Sequence, residues 1–234
     1  MKENTVTAKH SVNTVISELK KHGSRRNIEG MARYGITSAK AFGVNASIIK
    51  ALAKKIGKNH ELAVQLWETG YLETRALACL TADAKLVTKS LMNKWVRDFD
   101  SWAVCDAACD YLFIYTPFAF NKIFEWSGRK EEFVRRAAFV MIATLAVHDK
   151  NRDDNDFLKF FPLIKKYSVD ERNFVKKAVN WALRQIGKRS IFLNKKAIEL
   201  AREIKGIDSK SARWIANDAL RELRNPKTRI RRSK

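Results

Sequence analysis

Apolar residues recur along most of the chain at helical spacing, three and four positions apart, and no segment alternates with the period of two that marks a half-buried strand. Val12, Val15, Ile16 and Leu19 form one such stripe, with Gly23 placed to end it. Ile48, Ile49, Leu52, Ala53 and Ile56 form another, with Asn45 or Ser47 near its start and Gly57 as its stop. Ser168-Val-Asp-Glu171 has the form of a capping box and predicts a helix running from there to about Gly187. With 3 Pro and 9 Gly in 234 residues, there is little to interrupt helices. At ~11–12 residues per helix, about twelve to thirteen short helices fit the length.

The stripes repeat. FVRRAA at 133–138 reappears as FVKKAV at 174–179, and NWALR at 180–184 as NDALR at 217–221. ETRALAC at 73–79 and AVCDAAC at 103–109 align more loosely, at a shorter offset. Offsets of ~30–45 residues with a helix pair inside each unit point to an all-α array of HEAT-like or armadillo-like repeats. In this register Asp106, Arg136 and Lys177 hold one slot in three successive units. If that slot faces a concave wall, a carboxylate and two cations line up across neighbouring helices. Trp102 precedes Asp106 by one helical turn and Trp181 follows Lys177 by one, so both share that face. The bland alternative is that the tryptophans are core and the charges a solvated surface.

Charge narrows the partners. Lys and Arg number 46 against 25 Asp and Glu, a formal net charge of +21. From Ala182 to Lys234 there are 16 basic and 5 acidic residues. Such an excess calls for a polyanion: nucleic acid, an anionic membrane or an acidic protein. Nothing approaches the ~18 apolar residues of a membrane span, and MKENTVTAKH at the start lacks the apolar stretch of a signal peptide. Three cysteines are too few for a disulfide framework and fit a reducing compartment. The expectation is a soluble, cytoplasmic monomer.

Taken together, NIEGMARYGITSAKAFGV at 27–44, LWETGYLETRALA at 66–78, SWAVCD at 101–106, FVRRAA at 133–138 and KKAVNWALR at 176–184 resemble, in order and spacing, the AlkD-type DNA alkylation repair glycosylases. The resemblance runs from about Ile28 to Arg224. It implies a HEAT-like solenoid with a basic concave face, a single repeat domain over 1–225, and duplex DNA containing alkylated bases as the partner, without cofactor or metal. The basic segment 226–234 reads as a disordered tail. Position by position, the resemblance puts the catalytic aspartate at Asp106, the two active-site tryptophans at Trp102 and Trp181, and the DNA-contacting arginine at Arg136. Arg135, Lys176, Lys177 and Arg184 are further backbone contacts by location. The implied activity is monofunctional hydrolysis of the N-glycosidic bond of cationic purines such as 7-methylguanine and 3-methyladenine, a step of base excision repair, with the lesion left in or near the stack. Asp106 would stay ionised, with Arg136 lowering its pKa.

Two other readings compete: a non-catalytic helical-repeat module that binds DNA or RNA, and a scaffold for an acidic protein. The carboxylate among cations separates the first from the enzyme, because a simple phosphate binder gains nothing from it. The remaining constellations are plainer. Cys105 and Cys109, one turn apart, read as small buried hydrophobes in the absence of further metal ligands. His10, His22, His60 and His148 form no ligand pattern. Glu68 and Glu73 read as structural, and Trp67, Trp95, Trp126 and Trp214 as core or inter-repeat packing.

Overall fold

A computed structural model describes residues 10–36, 40–228 and 230. The first nine residues and most of the basic tail lie outside the described residues. Fourteen α-helices and two short 3-10 turns make up the described chain, with no strand among the described residues. They group into two compact units, Met1–Leu91 and Met92–Lys234.

In the first unit α1 (Val12–Lys21), α2 (Arg25–Arg33), α3 (Ala46–Ile56), α4 (His60–Glu68) and α5 (Leu72–Thr81) follow one another, with a longer strap between α2 and α3. The predicted stripes are the buried faces: Val15 and Leu19 of α1, and Ile49, Leu52 and Ala53 of α3. Helix starts obey local chemistry. Ser11 and Thr14 form a reciprocal capping box, and the side chains of Ser24 and Asn59 accept from the N–H groups of Asn27 and Leu62. Gly57, with φ 73°, ends α3 as expected.

The strap between α2 and α3 is held by one buried carboxylate. Glu73, in the first turn of α5, is fully buried. Its Oε1 accepts from the N–H groups of Phe42 (3.1 Å), Gly43 (2.7 Å) and Val44 (3.1 Å), and Oε2 accepts from Phe42 (3.0 Å). Three consecutive amides thus form a small nest around one anion. Gly43 adopts φ +79°, and a Cβ there would lie 2.2 Å from the Ser24 carbonyl oxygen, so only glycine fits. The structural role expected of Glu73 is this anchor; Glu68, at the end of α4, is exposed.

The division between units falls within α6 (Lys89–Arg97). The second unit continues with α7 (Trp102–Tyr111), α8 (Ala119–Ser127), α9 (Glu132–His148), α10 (Asp154–Leu158), α11 (Phe161–Tyr167), α12 (Asn173–Gly187), α13 (Ile191–Lys205) and α14 (Lys210–Leu223). Helices α7, α9, α12 and α14 pack in a row, each against the next, while α8, α11 and α13 pack against members of that row. The row is in register. Phe133 and Phe174, equivalent in the repeat alignment, touch with ring centroids 5.4 Å apart. Asn180 bonds Asp218 and Arg184 bonds Glu222, both at a separation of 38 residues, so α12 and α14 run parallel. Helix α9 is the centre: from Ala137 to Ala146 every residue is buried, as befits a helix apolar on all sides.

One helix start differs from expectation. Helix α12 begins at Asn173, and Ser168 and Glu171 form no capping box. Ser168 instead donates to the Lys165 carbonyl at the end of α11, and Glu171 reaches α14, accepting from Ser209 Oγ and Ser211 N at 3.1 Å each. Tertiary partners outcompete the local box because the carboxylate gains two donors, Ser209 Oγ and Ser211 N, at the positive end of α14. Helix α12 does end at Gly187, where a Cβ would meet Leu223 at 2.7 Å.

Replacing Glu73 with Ala leaves three amides without their acceptor. The expected cost is at least about 3 kcal/mol, since each buried unsatisfied group costs ~1–3 kcal/mol. Urea denaturation of the full chain measures it, and a loss under ~1 kcal/mol would contradict the anchor.

Candidate nucleic-acid interface and acidic centre

The sequence places Asp106 on the second turn of α7 and Arg136 near the start of α9, and the fold brings them together. Arg136 donates from Nε to Asp106 Oδ1 at 2.9 Å and from Nη2 to Oδ2 at 2.8 Å, a bidentate fork. Its Nη1 donates to the Phe174 carbonyl oxygen at 2.7 Å, in the first turn of α12. One guanidinium therefore ties three helices of the row. Its side chain is 8% exposed and that of Asp106 22%, so the pair is largely buried and Asp106 is its less covered partner.

Why the pair forms is visible in the α7–α9 contact. Cys105 and Cys109 are both fully buried, and their thiols point at the Phe133 and Ala137 carbonyls at 3.7 and 3.6 Å. They let the two backbones approach closely, which brings Arg136 within reach of Asp106. The expectation that they are small buried hydrophobes holds. Among the described residues no three His, Cys, Asp or Glu side chains group as metal ligands.

The protonation balance of Asp106 departs from expectation. Burial pushes its carboxyl up, the Arg136 guanidinium draws it down, and the neighbouring Asp110 pushes it up again; the net direction is upward. Arg136 does draw the carboxyl down, as the sequence leads one to expect, but desolvation outweighs it. Asp110, one turn further along α7, was not singled out from the sequence. It pairs with His148 at the end of α9, Nε2 to Oδ1 3.0 Å.

The other expected residues fall into two groups. Trp102 opens α7 one turn before Asp106 and is half-buried; Trp181 is half-buried on α12. Lys177 is exposed, and Lys176 lies with its Nζ 5.3 Å from the centroid of the Trp214 ring. The remaining cations are committed within the protein. Arg135 donates to the Ser127 carbonyl at 3.0 Å and to Asp170 Oδ2 at 2.7 Å, and its guanidinium lies 4.6 Å from the Tyr167 ring centroid. Arg184 donates to Glu222 at 2.5 Å, and Lys188 to the same carboxylate at 2.6 Å. Asp170 shows how strong this internal pairing is: although burial raises it, hydrogen bonds from Arg172 and Arg135 hold its carboxyl at about 2. Trp67, Trp95 and Trp126 are core; Trp214, expected as core or inter-repeat packing, has 42% of its surface exposed and meets Lys176 of α12 in the neighbouring repeat.

A row of parallel repeat helices presenting a forked Arg–Asp pair beside a tryptophan defines a HEAT-like repeat protein with an acidic centre on one helix. A solved structure with the same fold has a TM-score of 0.78 and 22% identity, and the match covers 96% of this chain and 99% of the other. It is described as one of "a new family of proteins related to the HEAT-like repeat DNA glycosylases with affinity for branched DNA structures". No curated protein matches the chain. Residues 15–223 match the DNA alkylation repair enzyme family, and the chain belongs to that family. No helix among the described residues is long and apolar enough to cross a membrane.

Truncating Arg136 to Ala strands Asp106 and the Phe174 carbonyl. The expected destabilisation is about 3–5 kcal/mol. In a double-mutant cycle, adding Asp106→Ala should cost much less than it does alone, giving a coupling of ~1–3 kcal/mol. Strict additivity in the melts would rule out the pair as a structural unit.

Proposed function

We propose that this protein hydrolyses the N-glycosidic bond of cationic alkylated purines, of the 7-methylguanine and 3-methyladenine type, in duplex DNA, with Asp106 as its catalytic residue. The observation that carries the reading is the largely buried, Arg-forked carboxylate one turn from Trp102, in a member of the DNA alkylation repair enzyme family.

The chemistry asks for little else. An alkylated purine of this kind already bears a positive charge, so the bonding pair of the C1′–N bond can leave with the base, which becomes neutral, without a general acid. Positive charge then develops on the sugar as an oxocarbenium-like centre. The Asp106 carboxylate stabilises it and orients a water whose oxygen bonds to C1′; the water's proton passes to the carboxylate and on to solvent. Arg136 fixes the carboxylate's plane through two of its five N–H groups and α12 through a third. With 8% of its side chain exposed, Arg136 acts as a positioning residue for the carboxylate, and the phosphate beside the lesion is left to the lysines. Trp102 and Trp181 supply indole faces for the sugar and the cationic nucleotide, at ~0.5–2 kcal/mol for a cation over a ring. Lys176 and Lys177 serve the phosphate backbone. Arg135 and Arg184, already paired, support the helices that carry these residues.

The second reading is a DNA-binding protein without base release, and the solved relative's described affinity for branched DNA gives it a specific observation. Free 7-methylguanine and 3-methyladenine, measured by chromatography after incubation with methylated duplex, separate the two. Release is expected from the wild type, and Asp106→Asn should lower it by about 10²–10³ with DNA affinity equal or higher. Wild-type release by the Asn variant would refute the mechanism, and no release by the wild type would leave DNA binding alone. Affinity should fall steeply with salt, as counterion release requires.

The pH dependence follows from Asp106. Its carboxyl is raised, so the ionised form is complete only at higher pH than usual and is lost as pH falls through the raised value. The acid limb of the kcat/KM profile should therefore sit above the ~3.9 of an ordinary aspartate. A limb at or below that value would contradict the assignment.

A further inference from the structure

We infer that Trp214, beside the phosphate-contacting Lys176 and Lys177, extends the DNA contact beyond Asp106 as a stacking platform for an unpaired nucleobase. The inference rests on the reading of the protein as a DNA binder and goes beyond base release.

Three buried tryptophans of this chain, Trp67, Trp95 and Trp126, have at most 2% of their surface exposed, whereas Trp214 keeps 42%. It sits at the fifth position of α14, on a stripe with Lys210, Asn217 and Arg221 that faces solvent along the helix. The inward stripe of the same helix (Ala212, Ile215, Ala216, Ala219) is fully buried, so core packing is complete without the indole. The ring is met from α12 by Lys176, at 5.3 Å from Nζ to the centroid. Lys177, the next residue, is exposed.

Charge also favours a strand. Around the ring Arg213 pairs with Asp208, and Arg221 with Asp218, so these four cancel. Lys176, Lys177 and Lys210 remain against one carboxylate, Glu171, which feels both Lys176 and Lys210, so a surplus of positive charge is left. An indole face beside surplus lysines has the two parts of a single-strand site: a π surface for the base and cations for its phosphate. The occupant must have an open base face, because a pair inside a duplex is covered above and below by its neighbours. An unpaired base at a single-stranded segment or junction meets that condition.

The test measures fluorescence anisotropy of the full chain with three ligands: an oligothymidylate strand, an abasic strand of equal length, and relaxed closed-circular duplex as competitor. Trp214→Ala should weaken oligothymidylate binding between about fivefold and a hundredfold, the range of one base–aromatic stack. Trp214→Phe should recover most of it. Binding of the abasic strand and the duplex should not change. Unchanged oligothymidylate binding, or an equal loss on the abasic strand, would overturn the platform. Should Trp214→Ala melt early, Trp214→Leu against Trp214→Phe makes the same comparison, apolar bulk against a π face; equal affinities of those two would also overturn it. If the wild type binds none of the three ligands, the DNA reading itself fails, a result distinct from a wild type that binds DNA while Trp214 makes no difference.

Discussion

The contact on which the second unit turns is the fork between Arg136 and Asp106, closed by the Phe174 carbonyl. A guanidinium this deep, beside a run of buried residues from Ala137 to Ala146, is tolerable only if its charge and its donors are met. Three helices contribute to meeting them. The arrangement couples two things that are often separate. The residue proposed to do chemistry is also the counter-ion of a buried cation, so the position of the carboxylate is set by the core rather than by a loop. A shift of α7 against α9 would break two charge-assisted hydrogen bonds at once, which gives the site the rigidity that electrostatic catalysis requires.

Gross charge, by contrast, says less about local contacts than its size suggests. The net +21 is real as a long-range field and steers polyanions. Yet Arg135 and Arg184, which by location invite a phosphate, end in internal pairs with Asp170 and Glu222. Arg189 goes further: buried at 7%, it donates to Asp154, to the Asp149 carbonyl and to the Arg152 carbonyl, closing the loop after α9. In a helical array, an arginine can reach across to the next repeat, and the planar fork favours carboxylates and helix-end carbonyls there. Lys177, by contrast, stays at the surface, as a strongly hydrated ammonium can.

This explains what the sequence made legible. Helix periodicity was readable because burial on one face imposes it directly, and the repeat offset that equates Phe133 with Phe174 is the spacing at which the two rings touch. The meeting of Asp106 and Arg136 was implied by a shared slot. The capping box at Ser168 misled because the motif is local, while its glutamate found better donors on α14. Trp214 reads as core or inter-repeat packing because tryptophan usually is one or the other; the inward alanines of α14 put it on the opposite face, against Lys176 of the neighbouring repeat. Glu73 was assigned a structural part without its partners, since three amides of a strap 30 residues upstream leave no trace in side-chain identity.

The electrostatic state of Asp106 carries the last step. A carboxylate with a bidentate arginine would ordinarily be well satisfied and drawn down. Here burial, with Asp110 adding to it, more than offsets that attraction. The ionised form is thus under-compensated by its own protein. Under the proposed chemistry that deficit is useful, because a second positive charge beside Asp106 relieves it. A cationic base offers some relief in the ground state, and the oxocarbenium-like sugar, forming closer to the carboxylate, offers more. The difference between the two lowers the barrier. A fully satisfied carboxylate would gain less from either. The same burial that raises the acid limb of activity is therefore what would make Asp106 an effective partner for positive charge, and a neutral base, which offers no such relief before the bond breaks, would be at a disadvantage from the start.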